Sequence, residues 1–87
     1  MIKRFNLTPT QFSTLRSAVE SHGFNITGTS GDLTGLPHGI EGKFDYEEGV
    51  GLLTLTITSK PFWMTGDSIW HQIVPVITQV GGTLYAG

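Results

Sequence analysis

The chain has 87 residues, no cysteine, a formal net charge of −2 and only 14% charged residues. That length supports one domain, 1–87, with a total stability of about 4–13 kcal/mol, which leaves little core to hollow out for a large cofactor. The missing thiols exclude disulfide frameworks, thiolate nucleophiles, cysteine zinc sites and iron–sulfur clusters, and without a basic stripe no nucleic-acid partner is expected.

The first element is a helix over residues 9–22. Thr8 is a good N-cap, Pro9 suits the first helical position, and Gln11 completes a capping box. Leu7 before the cap can staple to Phe12. Phe12, Leu15, Ala18 and Val19 then form the apolar stripe. Gly23 can stop the helix and fold Phe24 back onto Val19. Lys3-Arg4, ahead of the helix, reads as a solvated terminus.

The middle of the chain is β-rich. Phe24–Thr27 alternates and reads as a strand, and Gly28–Gly31 reads as a turn. The pattern allows a short strand over Asp32–Leu36 without requiring it. Leu36-Pro37-His38-Gly39 is another turn or loop. The clearest hairpin follows. Ile40, Gly42, Phe44 and Tyr46 share one face, and Leu53, Leu55 and Ile57 share the matching face beyond a Glu47–Val50 loop. With that loop, Tyr46 opposes Gly51, Phe44 opposes Leu53, Gly42 opposes Leu55 and Ile40 opposes Ile57. Lys43 then lies opposite Thr54, and Glu41 opposite Thr56, on a wet outer face.

Lys60-Pro61 ends the second strand, and Phe62-Trp63-Met64 is an apolar connector. Thr65 caps a second helix over residues 66–80, with Asp67 favourable in its first turn. Ile69, Ile73, Val76, Ile77 and Val80 form its stripe, and Gly81-Gly82 ends it. Pro75 inside it predicts a bend. Thr83–Tyr85 is a short strand or a docked tail; the pattern leaves both open. The expected fold class is α+β. Two helices pack on one face of a three- to four-stranded antiparallel sheet, in the order helix, strands, helix.

No motif points to catalysis. His22, His38 and His71 have no metal-ligand spacing, and each reads as a surface or capping residue. Gly28–Asp32 lacks the Lys-Ser/Thr ending and the following helix of a phosphate loop, and there is no Gly-x-Ser-x-Gly elbow. Glu47-Glu48 matches no calcium-loop template. No catalytic residue, cofactor or metal site is therefore assigned. No apolar run approaches the roughly 20 residues of a bilayer span, so no membrane partner is expected. Met1–Arg4 leads into no apolar signal region, and a cytoplasmic location is expected.

Two functional expectations remain. The aromatic surplus at Phe62, Trp63 and Trp70 exceeds what so small a core needs. It points to a non-enzymatic interaction module that self-associates or holds a protein partner. The alternative is a small-ligand binder or minimal enzyme. It would use a cleft between the second helix and the sheet, beside His71 and the backbone carbonyl that Pro75 leaves free.

Overall fold

The computed structural model describes residues 1–21, 28–33 and 37–85. Strand β1 (Ile2–Asn6) leads into helix α1 (Pro9–Ser21). Then follow β2 (Ser30–Leu33), a turn at Pro37–Gly39, β3 (Glu41–Glu47), β4 (Leu52–Ser59), helix α2 (Gly66–Gln79) and β5 (Thr83–Leu84). The strands form one antiparallel five-stranded sheet in the order β2-β3-β4-β1-β5. The class is α+β, as the sequence indicates. The order differs, and five strands replace the expected three to four, because a strand precedes the first helix and another follows the second.

Both helices lie on the same face of the sheet. Residues opposed across a ladder share a face, and Lys3 opposes Leu55, which opposes Phe44. The Phe12 ring of α1 stacks on Tyr46 at 4.1 Å and sits 6.5 Å from Phe44. On the β1 side of the sheet, the Lys3 ammonium lies 5.7 Å over the Trp70 ring of α2. Helix α1 therefore covers β3, and α2 covers β1. Phe5, Leu53, Leu55 and Ile57 fill the space beneath them as one apolar core. On the opposite face, Ile2, Arg4, Lys43 and Asp45 are exposed, and Thr54 and Thr56 are half-buried.

The N-cap of α1 follows the sequence closely. The Gln11 N–H donates to Thr8 Oγ1 at 3.1 Å, and the Thr8 N–H donates to Gln11 Oε1 at 2.9 Å. Each satisfies an otherwise orphaned group at the helix start. Phe12, Leu15 and Val19 are buried. Helix α2 opens on Thr65, whose Oγ1 accepts the Ser68 N–H at 3.2 Å. It runs through Pro75, which is exposed on the outer side of the helix. His22, Gly23, the strand expected at Phe24–Thr27 and residues 34–36 lie outside the described residues.

The β3–β4 register corrects the expected one by two residues. Tyr46 opposes Leu53, Phe44 opposes Leu55 and Gly42 opposes Ile57, while Lys43 faces Thr56 and Asp45 faces Thr54. An even shift keeps every residue on its expected face, so the apolar pattern cannot distinguish the two registers. The turn decides. Glu47 still pairs, with Leu52, and the loop becomes Glu48–Gly51. Gly51 takes φ 66°, which glycine adopts without a Cβ penalty. A Cβ there would lie 2.8 Å from the Leu7 carbonyl oxygen, and the Gly51 carbonyl itself accepts the Leu7 N–H at 2.9 Å.

Two further corrections concern strands, and one open alternative is resolved. Lys3-Arg4 is not a loose terminus but part of β1, an interior strand between β4 and β5. The expected turn at Gly28–Gly31 gives way at Ser30, where β2 starts, earlier than the Asp32 considered above. Thr83-Leu84 is a strand, and the Tyr85 N–H continues the pairing by donating to Arg4 O at 2.9 Å.

Tyr46 ties these parts together. Its buried hydroxyl donates to the Leu7 carbonyl at 2.8 Å, at the junction of β1 and α1. Burial, and secondarily the charge of Glu48, raise its pKa above the ordinary value of 10.0. The unfolded chain therefore loses this proton at lower pH than the folded one. The associated stability is intact below pH 10 and declines as the pH rises through the folded-state value. In Tyr46→Phe, that alkaline loss should diminish when denaturant midpoints are compared between pH 8 and 11. The variant should also cost about 1 kcal/mol at neutral pH for the lost hydrogen bond.

Candidate functional site

The most exposed aromatic residue of the described chain is at the β4–α2 connection, and local chemistry explains why. Pro61 cannot extend the ladder. The Met64 N–H donates to the Pro61 carbonyl at 3.1 Å, which closes a turn across Phe62 and Trp63. The Lys60 ammonium donates to the Met64 carbonyl at 2.7 Å and ties the turn to the end of β4. Met64 is the inward anchor, buried in the core. The two central residues are left facing outward, with Phe62 95% exposed and Trp63 61% exposed.

A third ring joins them. His38 lies 5.6 Å from Trp63 with an interplanar angle of 81°, an edge-to-face contact. Its backbone is left-handed at φ 61°. The β3–β4 hairpin brings these positions together, because Glu41 at the start of β3 opposes Ser59 at the end of β4. Ile2, opposite Thr56, lies at the same end of the sheet and is also exposed. The composition singles out Phe62 and Trp63. Nothing in the sequence links His38 to them, since the contact depends on hairpin closure.

Trp70 does not belong to this surface. It is 7% exposed and packs into the core beneath the Lys3 ammonium. The expected three-residue patch is corrected to Phe62 and Trp63, with His38 beside them.

His71 and Pro75 are both exposed on the outer side of α2. Neither lines the two concavities described, each of about 380 Å³. One lies on the uncovered sheet face, among Ser30, Asp32, Lys43, Asp45, Thr54 and Thr56. The other lies at the start of α1, against Glu48–Gly51 and Thr83. Among the described residues, no three His, Cys, Asp or Glu side chains gather as a metal site. No described helix is long and apolar enough to cross a membrane.

Neither family models, nor curated proteins, nor solved structures yield a match to this chain.

Proposed function

We propose that this chain is a non-enzymatic interaction module that uses the Phe62–Trp63 turn as its contact element and associates with a second copy of itself. The observation that carries this reading is the exposure of Phe62, 95%, on a turn held by hydrogen bonds at Met64. Leaving an aromatic ring in water forgoes most of its burial free energy, of order 1.5–3 kcal/mol. Phe and Trp are enriched at the centres of protein interfaces for the same reason. The held turn adds to this, because a contact element already ordered loses less freedom on binding.

The test is sedimentation over a wide range of protein concentration, on the parent and on Phe62→Ser/Trp63→Ser. The parent is expected to shift toward dimer as concentration rises. The double variant should need about 30-fold or more higher concentration, the equivalent of a 2 kcal/mol contact. Phe62 makes almost no contact within the fold, so its replacement should leave the melting temperature close to the parent's. A parent that stays monomeric throughout removes self-association.

A further inference from the structure

We infer that His38 is a positioning residue for Trp63, fixing the indole of the contact turn in one orientation before any partner arrives. The inference rests on the reading of Phe62–Trp63 as that contact element.

Two observations carry it. The first is the backbone at His38. A φ of 61° is left-handed, a region that L residues occupy uncommonly and glycine occupies freely. The next residue, Gly39, has a similar φ of 73°, and a Cβ there would meet nothing within 4 Å. Of these two consecutive left-handed positions, one is filled by glycine and makes no side-chain contact. The other carries histidine, one of the L residues enriched in that region, and its ring is placed against Trp63.

The second observation is where that ring sits. It meets Trp63 edge-to-face at 5.6 Å and 81°, within the range of favourable aromatic pairs. Trp63 nevertheless stays 61% exposed. The contact therefore restrains the indole without covering it. An exposed side chain on a turn otherwise changes rotamer on the picosecond–nanosecond timescale. Binding would have to arrest that motion, and an indole already held needs less arresting.

The test uses the full chain and the two indole N–H signals, Trp63 as reporter and Trp70 as internal control. His38→Asn and His38→Gly both accept the left-handed backbone and both remove the ring. The Trp63 indole order parameter should fall clearly below that of Trp70 in each, with Trp70 unchanged and the melting temperature close to the parent's. A residue needed only to close the turn would not give this pattern, because asparagine and glycine close it as well. If Trp63 stays as ordered in both variants as in the parent, the inference is overturned. The measurement is made at a concentration where the chain is monomeric, so it does not depend on self-association. A loosened Trp63 together with a chain that never dimerises would sink the contact reading and leave the restraint standing. Where the parent dimerises, the same variants should weaken the dimer by about 2- to 10-fold, the equivalent of one side chain ordered on binding.

Discussion

Replacing Trp70 by alanine is expected to destabilise the fold by about 3–5 kcal/mol, the usual range for truncating a large buried aromatic residue. For a domain of this size, that lowers Tm by about 12 °C or more. Trp70 is 7% exposed, on the face of α2 that meets β1. Its loss opens a cavity between helix and sheet and also removes the ring beneath the Lys3 ammonium. Part of the side chain's size could be recovered by collapse, but β1 is held on both sides by its ladders and can move little. Thermal and urea unfolding followed by circular dichroism would measure the loss, since the substitution removes one of the chain's two tryptophans. A cost below about 1 kcal/mol would place Trp70 at the surface and return it to the aromatic patch with Phe62 and Trp63.

The burial of Trp70 is visible on a helical wheel, although a stripe through Ile69, Ile73, Val76, Ile77 and Val80 leaves it on the flank. Trp70 stands seven residues before Ile77, so the two lie on nearly the same side of the helix. The stripe is centred between Ile69 and Trp70 rather than on Ile69. His71 and Pro75 then point away, where the structure has them exposed. Helix caps are legible for a related reason. Thr8 and Gln11, or Thr65 and Ser68, bond within a few residues of each other, so sequence spacing alone brings the groups together. The faces of β3 and β4 are equally legible, because alternation fixes them locally. Register is not, since a shift of two preserves every face and only the Gly51 turn selects one. The site divides in the same way. The exposed Phe62–Trp63 pair can be suspected from composition, whereas His38 enters only when the hairpin closes.

Strand β1 is the least legible element, and it supports the second large effect. Its sequence, Ile-Lys-Arg-Phe-Asn, carries two adjacent cations and a single deeply buried side chain, so it resembles a polar terminus more than an interior strand. Its strand character comes from its neighbours. Phe5 opposes Leu53 of β4 on one side and Leu84 of β5 on the other, and it is fully buried. Phe5→Ala should therefore cost about 3–5 kcal/mol, a large part of the ~4–13 kcal/mol available to a chain of this length. Arg4 sits one residue away on the uncovered face and is exposed. Arg4→Ala should change stability by no more than about 0.5 kcal/mol. The contrast between adjacent positions is the informative quantity. A frayed terminus would give two small effects. A large loss at Phe5 beside a negligible one at Arg4 is what a strand with one face on the core gives. Equal and small losses in urea unfolding would detach β1 from the sheet. They would also remove the floor on which α2 and Trp70 rest, so the two substitutions test opposite sides of one contact.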